Sequence, residues 1–250
     1  WKLSGLAPRR EGWDGTLPVP GDGRYEWQGF YDGDELPFEH NPGRGWIATA
    51  NEMNIPADYP ADRHIGYEWF SRLRKDRLTE VLNGASDHTV ASSNALQSDV
   101  MNLLARHVLA HVSGLGFDPV PAELQRLLDW DQKMDAQSPQ AALFELWWRE
   151  HFHPALMRRA VEQVVPVEQT DAALHRLTLD ELVPDARVAL DILENRERLG
   201  PDADTWLMQT VRATLAAASA DLSARLGDDP AQQAWGRMHQ AWMAHPAHAL

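Results

Sequence analysis

The residues N-P-G-R-G-W-I-A-T-A-N (41–51), P-A-D-Y-P-A-D-R-H-I-G-Y-E-W (56–69) and R-L-R-K-D-R-L-T-E-V-L (72–82) mark where this chain changes character. The first two runs are punctuated by proline and glycine, which interrupt helices by lost donors and excess backbone freedom. The third lacks both, and its apolar residues recur every three or four positions, the period of a helix with one buried face. Upstream, Gly12 to Phe30 holds five glycines and two prolines in 19 residues, which again rules out a long helix. Within 1–66, W-K-L-S-G-L and G-W-I-A-T-A have the apolar character of short strands, and Asp32-Gly33-Asp34 with Glu35-Leu36-Pro37 reads as a turn.

Downstream the helical period continues through 67–83, 94–113, 121–132, 139–165, 185–198, 203–226 and 231–243. Gly84, Gly114, Gly116, Pro121, Pro184, Gly200-Pro201, Gly227 and Pro230 punctuate these segments. Ser138-Pro139 combines an N-cap hydroxyl with proline at the first helical position. The expected fold is mainly α with a few short strands, divided into a loop-and-strand segment at 1–66 and a helical region at 67–250.

Composition narrows the function. Lys and Arg number 23 against 37 Asp and Glu, a net charge of −14, and nucleic acid needs a basic footprint. The same balance disfavours an anionic membrane surface, and no apolar run approaches the ~20 residues of a membrane span. No cysteine is present, which removes disulfides, thiolate metal sites and a cysteine nucleophile. The pairs His107/His111 and His151/His153 lack the H-E-x-x-H pattern of a zinc helix and read as ordinary histidines. Trp147, Trp148, Trp206, Trp235 and Trp242 read as helix-packing anchors, and Gln97 and Asp99 as structural residues at the head of a helix.

The order of motifs resembles the β-chain of penicillin acylases, N-terminal-nucleophile hydrolases that cleave amide bonds. Leu17-Pro18-Val19-Pro20-Gly21 followed by Tyr25-Glu26-Trp27-Gln28-Gly29 is similar to the family's L-P-V-P-G…W-x-G. Residues 41–51 match N-P-x-x-G-x-I-x-x-x-N, Asp76-Arg77-Leu78 a helix start, Leu96–Asp99 an L-Q-x-D opening, and Trp235-Gly236 with His239 a W-G-x-x-H. The resemblance implies that the chain is part of an αββα sandwich plus its helical region. It also implies that Asn51 donates to the oxyanion formed during amide attack, with Asn54 the residue at issue if the register shifts by three. An asparagine NH₂ suits that task because it donates without titrating.

Arg77 falls on the apolar stripe of 67–82 with Trp69, Phe70, Leu73 and Val81, at roughly 100° of turn per residue. A buried guanidinium needs a partner, and the resemblance gives Arg77 a role in organising the active site, with Arg74 the runner-up. The family's structural calcium would draw on the Gly15 carbonyl and on Asp62, although Arg63 stands where a carboxylate is expected. The chain begins with Trp1, so the serine nucleophile is expected on other segments of the same precursor, the α-chain and the rest of the β-chain. The implied substrate is a small N-acyl compound, and the implied location is the periplasm or the exterior. The competing expectation is a non-catalytic helical domain or partner subunit descended from an acylase.

Overall fold

The computed structural model describes residues 1–3, 5–63, 65–67, 69–178 and 186–241. Pro184, Trp242 and the end of the expected 231–243 helix lie outside the described residues. Contacts divide the chain into two compact units, Trp1–Gln97 and Ser98–Leu250.

In the first unit the chain is irregular as far as Arg72, followed by helices α1 (Leu73–Gly84) and α2 (Val90–Gln97). The expected strands are reduced to isolated bridges, Lys2 with Phe38 and Pro8 with Phe30. Residues 1–9 do run beside 28–39, with Leu3 N–H donating to the Pro37 carbonyl and Tyr31 N–H to the Ala7 carbonyl. The ladder breaks because Pro8 has no donor and Gly5 turns at φ 102°. G-W-I-A-T-A also forms no strand, since its carbonyls at Ala48 and Ala50 accept from the side chains of Lys75 and Arg74. The expected helix at 67–83 opens only at Leu73, and none of its residues is buried. Phe70, assigned to its apolar stripe, is 64% exposed.

The second unit is a helical body of α3 (Leu103–Ser113), α4 (Ala122–Leu128), α5 (Pro139–Leu146), α6 (His153–Glu162), α7 (Val167–Thr178), α8 (Ala186–Glu194), α9 (Ala203–Leu226) and the short α10 (Trp235–Met238). The central helix α9 buries Leu207, Val211, Leu215, Ala218 and Leu222, spaced by three and four, against α4, α5 and the turn that follows α5. Ser138 caps α5 as its sequence predicts, accepting from Ala141 N–H at 3.1 Å with Pro139 in the first turn. No helix among the described residues is long and apolar enough to cross a membrane.

Three helical expectations change. Residues 94–113 form two helices rather than one, because Val100–Asn102 is drawn out beside Gln132–Met134. Asn102 N–H donates to the Gln132 carbonyl at 2.8 Å and Met134 N–H to the Val100 carbonyl at 2.9 Å. Helix α3 is therefore capped by Asn102, whose side chain accepts from Ala105 N–H at 3.0 Å, while Gln97 closes α2. Asp99 accepts from Met101 N–H in the connecting turn instead of heading a helix. The single helix expected at 139–165 contains a wide π turn over Trp147–Phe152. Pro154 lies two residues beyond it; its missing donor and its ring are incompatible with a regular helix at the preceding turn, and a π turn relieves that conflict. Helix α7 has no counterpart in the periodicity reading, which ends one helix at 165 and starts the next at 185.

The tryptophans of this unit pack as anchors. Trp147 and Trp148 are buried, with Trp147 stacked on Phe152 at 4.8 Å and its indole N–H donating to the Thr214 hydroxyl at 2.9 Å. Trp206 and Trp235 are partly buried against the same core.

His153 lies inside this core, 6% exposed and 5.2 Å from the Trp148 ring, with no hydrogen bond to Nε2. Burial alone lowers its pKa from the ordinary 6.5 to about 4, since the charged ring would lose water without gaining a partner. The folded state thus holds the neutral ring, and this stabilisation is complete above pH 6.5 and declines as pH falls toward 4. At about 1.4 kcal/mol per pH unit the loss reaches roughly 3 kcal/mol. Urea unfolding at pH 7 and pH 4.5 should show this loss in the parent and a flatter profile in His153→Leu. Equal acid sensitivity in both would remove His153 as its source.

Candidate active site

Asn51 sits on a tight turn in the first unit, solvent-exposed, with a left-handed φ of 64°. Asparagine tolerates this region better than most non-glycine residues because its short amide can bond locally. Helix α1 supplies the groups that hold the turn. The Arg74 guanidinium donates to the Ala50 carbonyl at 2.8 Å and to Asn51 Oδ1 at 3.1 Å. The Asn51 carbonyl in turn accepts from Phe70 N–H at 3.0 Å, and Arg74 lies 5.9 Å over the Phe70 ring.

These contacts fix the sense of the amide. A guanidinium only donates, so the Asn51 oxygen faces Arg74 and Nδ2 points away from it. No acceptor among the described residues takes an Nδ2 hydrogen, so the group is available to something outside the turn. Asn54, three residues on, makes no hydrogen bond among the described residues.

Arg77 lies on the same helix and is half-buried, pairing with Glu80 at 2.9 Å. The arginine that reaches Asn51 is Arg74, the runner-up in the sequence. The next residue of α1, Lys75, also reaches the turn. It donates to the Ala48 carbonyl, lies 3.8 Å from the Glu52 carboxylate and sits 5.3 Å over the Trp46 ring. Arg44 stands 4.8 Å over the same ring, whose indole N–H donates to Asn83 at 3.1 Å. Of these cations Arg74 alone touches the exposed asparagine amide, on its oxygen side, while Lys75 is paired with Glu52 and Arg44 with Glu39. Sequence reasoning missed Glu52 and Lys75. Their 23-residue separation follows no periodic rule, and only a buried carboxylate one position after Asn51 would have called for a cation.

The two arginines can be separated in the complete enzyme. Arg74→Met should lower kcat by about tenfold or more, because a misoriented donor loses transition-state stabilisation. Arg77→Met should cost less than Arg74→Met, because Arg77 pairs with Glu80 along its own helix whereas Arg74 reaches Asn51. Steady-state kinetics decides, and the reverse order would return the supporting role to Arg77.

Gly15 and Asp62, the residues named for calcium, lie on bends and turns of the first unit. Gly15 turns at φ 94° and Asp62 is exposed. The Asp14 carboxylate accepts from the Thr16 N–H at 2.9 Å and hydroxyl at 2.6 Å, and its carbonyl accepts from the Tyr67 hydroxyl. Arg63 turns to Glu35, 3.7 Å away. No group of three or more His, Asp or Glu side chains placed to hold a metal occurs among the described residues. His151 instead faces Asp221 at 3.3 Å, and burial lowers the His111 pKa.

The model of the penicillin amidase family matches residues 1–249, and the chain belongs to this family. An acyl-homoserine lactone acylase of Pseudomonas putida is 29% identical over the whole chain, which covers 32% of that protein. Penicillin acylase 2 proenzyme of a Pseudomonas species is 31% identical over 63% of the chain and 20% of its own length. The chain thus spans about a third or less of the curated relatives it matches. Penicillin G acylase of Alcaligenes faecalis has a similar fold, with a TM-score of 0.62 at 22% identity, over 92% of this chain and 45% of that one. Its relatives support acyl-amide hydrolysis as the general chemistry of the family.

Proposed function

We propose that this chain supplies the oxyanion-hole asparagine of an amidohydrolase that cleaves the amide bond of a small N-acyl compound. The observation that carries the reading is the Asn51 amide, its oxygen held by Arg74 at 3.1 Å and its Nδ2 left to donate. When a hydroxyl attacks an amide carbonyl, the carbonyl oxygen becomes an anion, and a fixed donor about 2.7–3.1 Å away lowers the barrier. Asn51 would provide one such donor.

In this proposal the serine nucleophile and the second donor come from other segments of one precursor, which also complete the αββα sandwich. The substrate is an N-acyl compound, in line with relatives named as acyl-homoserine lactone and penicillin acylases. The proposed location is the periplasm or the exterior. Calcium enters only as a structural ion to which the Gly15 carbonyl and Asp62 contribute beside ligands from other segments, and no chemical step is assigned to it.

The test is hydrolysis of phenylacetyl amides, penicillin G and acyl-homoserine lactones by the complete enzyme and its Asn51→Ala variant. Cleavage that collapses in the variant supports the reading. An Asn51→Ala enzyme as active as its parent, or a complete enzyme that cleaves no amide, overturns it.

A further inference from the structure

Among the described residues of the first unit Glu52 is the most buried charged side chain, at 4% exposure, yet it directly follows an exposed residue. A carboxylate withdrawn from water is costly unless paired and hydrogen-bonded, and both conditions are met around the Asn51 turn. Glu52 Oε2 accepts from Ala50 N–H at 2.6 Å, folding the side chain back over the residue between them. Glu52 Oε1 faces Lys75 Nζ at 3.8 Å, with the lysine side chain itself only 15% exposed. The same ammonium donates to the Ala48 carbonyl.

The convergence of these contacts separates them from a pair that only stiffens a loop. They engage Ala48, Ala50 and Glu52, on both sides of Asn51 but not the Asn51 side chain. Together with Arg74 they leave the Ala50 peptide satisfied at both its N–H and its C=O. A turn pinned at residues 48, 50 and 52 leaves Asn51 little choice of backbone angle, and it adopts the left-handed φ of 64°. Such a conformation costs energy in a non-glycine residue and persists only where neighbours over-determine it.

We infer that Glu52 and Lys75 are positioning residues that hold the Asn51 turn in the left-handed conformation presenting its amide to the reacting carbonyl. The inference rests on the oxyanion reading of Asn51. Arg74 sets which way round the amide faces, and the Glu52–Lys75 pair sets where it stands. Lys75 is required because Glu52 is charged, so the pair functions as a unit.

The experiment compares Glu52→Ala, Glu52→Gln, Lys75→Met, the Lys75→Met/Glu52→Gln pair, Asn51→Ala and the Asn51→Ala/Glu52→Ala pair in the complete enzyme, with penicillin G as substrate. Glu52→Ala should lower kcat on the order of 10- to 100-fold with KM within about twofold, the effect of a donor misplaced by around an ångström. Glu52→Gln should keep most of the activity, because its amide oxygen can still accept from Ala50 N–H. Lys75→Met should lose activity by stranding a buried carboxylate, and adding Glu52→Gln should restore it. Adding Glu52→Ala to Asn51→Ala should lower kcat little further, since a positioning residue has nothing left to position. A merely structural role predicts multiplied losses in that pair, and that result overturns the inference. An unchanged kcat in Glu52→Ala also overturns it. If Glu52→Ala does not fold, rescue of Lys75→Met by Glu52→Gln decides, and absence of rescue counts against the pair. A harmless Asn51→Ala sinks the oxyanion reading itself, whereas a crippling Asn51→Ala beside a harmless Glu52→Ala sinks only this inference.

Discussion

Asn51→Ala in the complete enzyme should lower kcat by roughly 10²–10³ and leave KM nearly unchanged, the usual cost of one lost oxyanion donor. The split follows from when the interaction forms. A neutral amide carbonyl in the bound substrate draws little on the donor, while the oxyanion of the tetrahedral intermediate draws on it fully. The side chain is exposed, so truncation leaves no core cavity. What it removes is the acceptor of Arg74 Nη2, which keeps the Ala50 carbonyl at 2.8 Å. Asn51→Asp should be at least as damaging, because a carboxylate repels the developing negative charge. Asn54→Ala should be mild, as Asn54 has no hydrogen bond among the described residues to lose. Full kinetic curves for the three variants check the set, and a crippled Asn54→Ala beside a tolerated Asn51→Ala would move the donor three residues along.

The sequence reading succeeded where local chemistry and structure coincide. The Ser138-Pro139 cap and the three-and-four spacing of α9 are both local signals, and both elements form where those signals stand. The class, mainly helical with an irregular start, followed from the same signals. The strands were misjudged because a strand is completed by its partner rather than by its own residues. Ala48 and Ala50 have their carbonyls engaged by side chains of α1, a competition that apolar alternation cannot reveal. The π turn was missed because its cause, Pro154, lies inside a run whose apolar period continues through it.

The site shows the same limit more sharply. Asn51 was visible through a motif, but its support was not. Helical winding assigned Arg77 to an apolar stripe, and it is half-buried, yet α1 buries no residue fully and Arg77 pairs with Glu80 along its own helix. The choice between Arg74 and Arg77 depends on how α1 approaches residues 50 and 51, a tertiary fact. Glu52 is the converse case: an acidic residue beside a turn reads as solvated, and only its burial and its bond to Ala50 N–H reveal a different task.

Trp147→Ala should produce the largest stability loss of any single substitution in the helical unit. The ring is fully buried, stacks on Phe152 at 4.8 Å and meets Phe144 edge-on at 6.0 Å. It is also the point where the π turn meets α9, through the indole N–H to Thr214 at 2.9 Å. Removing it leaves a large cavity in a close-packed core, for which about 3–5 kcal/mol is usual. Against a net stability of roughly 5–15 kcal/mol, that is enough to leave a sizeable fraction unfolded. Trp147→Phe should cost less, about 1–3 kcal/mol, because the ring volume is mostly kept and Thr214 can still donate to the Thr210 carbonyl. Denaturant unfolding followed by helical circular dichroism reads both values, and a cost below about 1 kcal/mol for Trp147→Ala would mean that the ring is not an anchor. The kinetic signature should be the opposite of Asn51→Ala. Loss of Trp147 should reduce the amount of folded enzyme while each folded molecule keeps its kcat, because the bonds described for the Asn51 turn are made with residues of its own unit. A Trp147→Ala enzyme with an intact folded fraction and a lowered kcat would instead tie the helical core to the chemistry.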